Sequence, residues 1–128
     1  MQPSDPDRGP RASGFPAGVT VKIEYHGQDA VVVVAGELDV LTAPKLDEQI
    51  SIALETEPPL LVIDLTDVTF LGSAGMTSLV TAHRMAGTAT TVRIVASGRT
   101  TARAMQIVGL DQQLPIYATL GDAVSADR

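Results

Sequence analysis

The chain has 128 residues, 45% of them hydrophobic, with two Phe, two Tyr and no Trp. That length and apolar content give one domain with an aliphatic core, exclude global disorder, and favour an α/β fold over an aromatic-rich β-sandwich. The net charge of −6, with scattered arginines and only Lys22 and Lys45 as lysines, argues against DNA and anionic membranes, and the lack of cysteine excludes disulfides, thiolate catalysis and cysteine metal sites.

Residues 1–18 hold four prolines and three glycines and few aliphatic residues, so a disordered N-terminal tail is expected there. This segment lacks the apolar stretch of a signal peptide, and no run approaches the roughly 18 apolar residues that span a bilayer. The chain therefore reads as cytoplasmic. Val21, Ile23 and Tyr25 alternate with Lys22 and Glu24, the period-two pattern of a half-buried strand. His26-Gly27-Gln28-Asp29 supplies a turn, and Ala30–Ala35 is an apolar run suited to a strand covered on both faces. The two form an antiparallel hairpin.

A first helix should begin near Thr42 or Ala43, where Pro44 is tolerated in the first turn. Ala43, Leu46, Ile50 and Leu54 follow at helical spacing, and Glu57-Pro58-Pro59 ends the element. Leu60–Leu65 reads as the next buried strand, with Asp64 and Asp67 flanking a loop at its end as turn-makers. A second helix fits Ala74–Ala86, with Ser73 as its N-cap and Met76, Leu79, Val80 and His83 on one stripe. Gly87 suits a left-handed helix end. Val92–Val95 is a third buried strand. A helix over Thr100–Val108 closes at Gly109, with Leu110 behind it. Leu114–Tyr117 is an edge strand because of Pro115, and Thr119 and Asp122 are spaced as a capping box for a last helix. The order β-β-α-β-α-β-α-β-α implies right-handed crossovers and mostly parallel pairing: one α/β domain, residues 19–125, with about five strands and four helices.

Catalytic sets are incomplete. Leu71-Gly72-Ser73-Ala74-Gly75 resembles a nucleophile elbow but has Leu71 where the first glycine belongs. His26 falls in a turn, and His83 lies on the Ser73 helix roughly 15 Å along it at about 1.5 Å per residue. There is no P-loop, no dinucleotide fingerprint and no metal-ligand spacing. The chain reads as a binding protein rather than an enzyme, with no cofactor and no metal.

Ser73 lies where strand pattern gives way to helix pattern. On that pattern alone it is a cap; a helix N-terminus also tolerates an added phosphate, through its dipole and free N–H groups. Three segments resemble one family. Gly36-Glu37-Leu38-Asp39 with Thr42-Ala43-Pro44 and Leu46 is similar to a G-x-[LI]-D segment and the helix start that follows it. Val62–Leu65 with Val68–Met76 resembles the signature D-L-x-x-V-x-F-[ILM]-D-S-[ST]-G-[LM]. Val108-Gly109-Leu110, Leu114–Tyr117, Thr119 and Asp122-Ala123 resemble the closing segment. The family is the STAS domain, and within it the bacterial anti-sigma-factor antagonists.

The resemblance implies a five-stranded sheet backed by helices. It implies a protein that binds an anti-sigma factor of the serine kinase type, frees a sigma factor, is switched off by phosphorylation of Ser73 and is reset by a serine phosphatase. It places the partner contacts on Asp39, Thr42, Gly72, Ser73, Ala74, Gly75, Met76 and Thr77, in a monomer or weak dimer. The alternative within the same family is a sensor or scaffold module that binds a nucleotide or small ligand, or assembles with itself. Two positions depart from the signature: Gly72 replaces the usual Asp, and Ala74 the usual Ser or Thr.

Overall fold

The alternating residues of the N-terminal strand need a partner strand and a covered face, and a computed structural model, which describes residues 18–126, shows both. The tail expected over residues 1–18 lies outside the described residues apart from Gly18. Strand β1 (Val19–His26) pairs antiparallel with β2 (Asp29–Leu38), with Tyr25 opposite Ala30 and His26 opposite Asp29. Gly27 and Gln28 alone make the connection. Gly27 has φ of 65°, the positive value a type II′ hairpin turn needs at its first central residue.

From β2 the chain enters helix α1 (Ala43–Leu54), then β3 (Leu60–Leu71), α2 (Ser73–Ala86) and β4 (Thr91–Val95). Helix α3 (Arg99–Ile107) ends at Gly109, whose φ of 76° is left-handed, and a 3-10 turn follows at Leu110–Gln112. The short strand β5 (Ile116–Tyr117) and helix α4 (Leu120–Ser125) complete the described chain. The sheet order is β1-β2-β3-β4-β5, with β1 antiparallel and every other pair parallel. The expected element order and the edge position of β5 are both present, but the strand is shorter than expected over Leu114–Tyr117 and Pro115 precedes it.

The sheet has two covered faces. Val32, Val34, Leu61, Ile63, Leu65 and Ile94 pack with Leu46 and Ile50 of α1, Leu79 and Ala82 of α2, and Met105 of α3. Val31, Leu60, Val62 and Val95 point the other way, against Ala123 of α4. Each fully buried aliphatic side chain of this kind contributes roughly 1.5–3 kcal/mol relative to exposure. Helix α4 has only six residues and is held at both ends. The Thr119 hydroxyl accepts the Asp122 N–H at 3.0 Å, the expected cap. At the other end the buried Arg93 guanidinium donates to the carbonyls of Ala123 (2.8 Å) and Ala126 (3.1 Å).

Three local expectations are corrected. Strand β3 does not stop at Leu65 but runs to Leu71, because two extra residues are absorbed as irregularities opposite Val33–Ala35 and Gly36–Glu37. Asp64 makes the first of these: its carboxylate accepts the Thr66 N–H at 3.0 Å. Asp67 is paired with Ala35 within the strand rather than flanking a loop. On α1 the stripe also takes in buried Ala53, and Leu54 is half-buried against the same core. On α2 the buried stripe is Gly75, Ser78, Leu79, Ala82 and Ala86, and His83 is exposed, one step off it. Among the described residues no helix is long and apolar enough to cross a membrane.

Gly36 has φ of 109°, and a Cβ there would run into the carbonyl oxygen of Gly18. Gly36→Ala is therefore expected to lose roughly 1–3 kcal/mol of stability, measured by urea unfolding. An unchanged midpoint would show that the β1–β2 register relaxes freely at this point.

Candidate functional site

Strands β2 and β3 finish together, with Leu38 opposite Leu71. The two segments leaving this end of the sheet, Asp39–Thr42 and the start of α2, are thereby set side by side. The Gly72 N–H donates to the Leu38 carbonyl at 2.9 Å. Gly75, one turn into α2, is buried against the same residue: a Cβ there would stand 2.9 Å from Leu38 Cβ and 2.7 Å from Leu71 Cδ1. The absence of a side chain at Gly75 lets the helix start press onto the strand end.

The Asp39 loop is built by its own side chains. Asp39 Oδ1 accepts the N–H groups of Leu41 (2.9 Å) and Thr42 (3.0 Å). The Thr42 hydroxyl accepts the Asp39 N–H at 2.9 Å and donates to the Glu37 carbonyl at 2.6 Å. Thr42 is the N-cap of α1, but its side chain serves the loop and caps no helix N–H. The Thr42 N–H, above all, holds the Asp39 carboxyl below the ordinary aspartate range; the Leu41 N–H and the Thr42 hydroxyl add to this, against an opposing effect of desolvation. This wound loop leaves Val40 and Leu41 at 75% and 84% exposure.

Ser73 is not the N-cap that its position suggested. Gly72, in extended conformation, is the cap residue, and Ser73 is the first residue of α2. Gly72 supplies no side-chain acceptor; its carbonyl takes the Met76 N–H at 3.1 Å. The Ser73 hydroxyl is exposed, and among the described residues it makes no hydrogen bond. Ala74 and Met76 are half-buried, and Thr77 is exposed with its hydroxyl on the Ser73 carbonyl at 3.0 Å. A side chain at position 72 would meet the Phe70 ring at 3.0 Å, so the ring would have to shift slightly to admit the signature's Asp.

All eight residues singled out from the sequence thus lie on or beside the two segments at this end of the sheet. Sequence reasoning passed over three exposed apolar neighbours, Val40, Leu41 and Phe70, although the unbroken Val40-Leu41 pair in a loop was a visible signal. It also missed a groove of about 370 Å³ that starts at Ser73, Met76 and Thr77 and continues along α2 to Arg84. Val108, Leu110 and Gln113 form its opposite wall. Those residues are distant in sequence, so no local pattern announces them. Chemically the site can present a hydroxyl and be covered. His83 lies ten residues along the same helix, out of reach of Ser73 as a base. Among the described residues no group of three or more His, Cys, Asp or Glu could hold a metal ion.

The STAS domain family model matches residues 20–123. A curated relative, the anti-sigma-F factor antagonist RsfB of Mycobacterium tuberculosis, is 36% identical over 113 residues, which are 88% of this chain and 93% of the relative. The crystal structure of an anti-sigma factor antagonist from Mycobacterium paratuberculosis is 40% identical, with a TM-score of 0.83 over 87% of this chain and 95% of that one. The Bacillus cell fate determinant SpoIIAA in its phosphorylated form has a TM-score of 0.61 over 82% and 96% of the two chains; at 19% identity that likeness is one of fold.

The Asp39 network has a pH consequence. A carboxyl whose folded pKa is depressed stabilises the loop above the ordinary aspartate range, about pH 4, and that contribution is lost as pH falls through the lower folded value. The Asp39 carboxyl carbon, followed by NMR, should titrate below the ordinary aspartate value of about 4. Asp39→Ala should speed amide exchange at Leu41 and Thr42. An ordinary midpoint with unchanged exchange would sink this account of the loop.

Proposed function

The chain belongs to the STAS domain family, and on that footing we propose that it is an anti-sigma-factor antagonist switched by phosphorylation of Ser73. It binds an anti-sigma factor through the Asp39 loop and the first turn of α2, and thereby releases a sigma factor. It is not an enzyme itself. The partner is of the serine kinase type: it transfers the γ-phosphoryl group of ATP to Ser73 Oγ, with loss of the hydroxyl proton and release of ADP. A serine phosphatase removes the group by hydrolysis. The cycle runs in the cytoplasm, where sigma factors act.

The observation that carries this reading is the state of Ser73. Its hydroxyl is exposed, makes no hydrogen bond among the described residues, and stands at the first residue of a helix beside a loop that displays two apolar side chains. Modification there breaks no internal bond. The helix start tolerates the negative charge through its dipole. A partner face built on Val40, Leu41 and the small residues around Ser73 does not tolerate it, because about −1.5 to −2 charges and their hydration must be buried or excluded. The names of two relatives support the same function, and the phosphorylated SpoIIAA supports the view that this fold accepts a phosphate.

The test uses the anti-sigma-F factor of Mycobacterium tuberculosis. Incubated with it and ATP, the wild-type chain should gain one phosphate on Ser73 by intact mass and peptide mapping, and Ser73→Ala none. Ser73→Glu should bind it at least tenfold more weakly than Ser73→Ala, about 1.4 kcal/mol. Equal affinities would rule out a switch at Ser73.

A further inference from the structure

The groove along α2 is a second part of the docking face, and we infer that it receives an amphipathic helix of the anti-sigma factor, with a carboxylate at the end that meets Arg84. The inference rests on the reading of Ser73 given above and adds the partner's chemistry to it.

The groove is continuous with the site, since Ser73, Met76 and Thr77 line its near end. From Ser73 to Arg84 is eleven residues of helix, about 16 Å at ~1.5 Å per residue, the length of three turns of a partner helix. Its middle is apolar: Met76 and Val80 are half-buried on one side, and Val108 is 59% exposed on the other. One wall is α2 and the other the turn that follows α3, so no unpaired strand edge is offered. That suits a helix laid in by its side chains rather than an added strand.

Charge gives the direction. Arg84 is the only charged residue among the described residues that line the groove, in a chain of net charge −6. It is exposed in the last turn of α2, where a cation also meets the negative end of the helix dipole. An acidic side chain on the partner helix pairs there, with apolar residues at i, i+3 and i+4 filling the stretch between Met76 and Val108. A phosphate on Ser73 then stands at the opposite mouth of the same groove. Its bulk and hydration lift the near end of the helix away, while the far end loses its seat through rigidity.

The test again uses the anti-sigma-F factor of Mycobacterium tuberculosis, with affinities measured by calorimetry. Val108→Glu and Arg84→Glu should each weaken binding at least tenfold, and the Arg84→Glu loss should shrink at high salt. Tyr25→Glu, an exposed site near the hairpin turn at the other end of β2, should stay within twofold. All three positions are exposed, so thermal unfolding should show folded proteins, with Arg84→Glu slightly less stable because it sets a negative charge at the negative end of α2.

If both groove variants bind within twofold of wild type while Ser73→Glu is weakened, the groove is not a docking site and the Ser73 reading stands. Loss at only one of the two also overturns the proposal, because a helix spanning the groove must touch both. Wild-type chain that does not bind removes the Ser73 reading and this inference together.

Discussion

Leu38 is the residue on which the arrangement of the site depends. Its carbonyl takes the Gly72 N–H, and its side chain is fully buried where a Cβ on Gly75 would otherwise stand. One strand end therefore positions the loop that follows it and the helix that begins beside it. The two irregularities in β3 serve the same junction, since they bring Leu71 level with Leu38 despite the different lengths of the two strands. Remove the close approach at Gly75 and the Asp39 loop and Ser73 would no longer share a surface.

The site formed at this junction is already set. Asp39 and Thr42 spend their polar groups on the loop itself, with contacts of 2.6–3.0 Å that leave Val40 and Leu41 facing out. Ser73 spends nothing, because Gly72 takes the cap position and no fold contact among the described residues uses its hydroxyl. Loop residues stiffened by their own hydrogen bonds, beside a hydroxyl left free, suit recognition with little ordering cost on binding. In such a site a modification acts by changing what the surface offers and leaves the backbone in place.

The fold was legible where residues obey one period. The β1 alternation as far as Ile23, the buried runs of β2 and β4, the Thr119 cap and the glycine at the end of α3 stand where the pattern puts them, while Tyr25, expected on the covered face of β1, is exposed. The far half of β3 was not legible, because extra residues at Leu65-Thr66 and at Thr69 break the alternation, and only the partner strand explains them. His83 was misassigned for a related reason: one residue of phase error moves a side chain about 100° around a helix, at 3.6 residues per turn, from core to solvent. Ser73 was read as a cap and stands one position further on, as the first residue of α2, a shift that matters because it frees the hydroxyl. The groove was invisible because its walls come from residues 73–84 and 108–113, which only the tertiary fold brings together.

The clamp at Arg93 bears on how the chain is made. The guanidinium is buried on β4, and two carbonyls that accept from it lie some thirty residues later, at Ala123 and Ala126. During synthesis the β1–β2 hairpin closes locally, but Arg93 has neither carbonyl until residues up to Ala126 have left the ribosome. Until then the sheet face formed by Val31, Val62 and Val95 lacks α4 and keeps its apolar side chains uncovered. The nascent protein thus carries a sticky, half-finished face until α4 is made, some thirty residues after the strand that needs it.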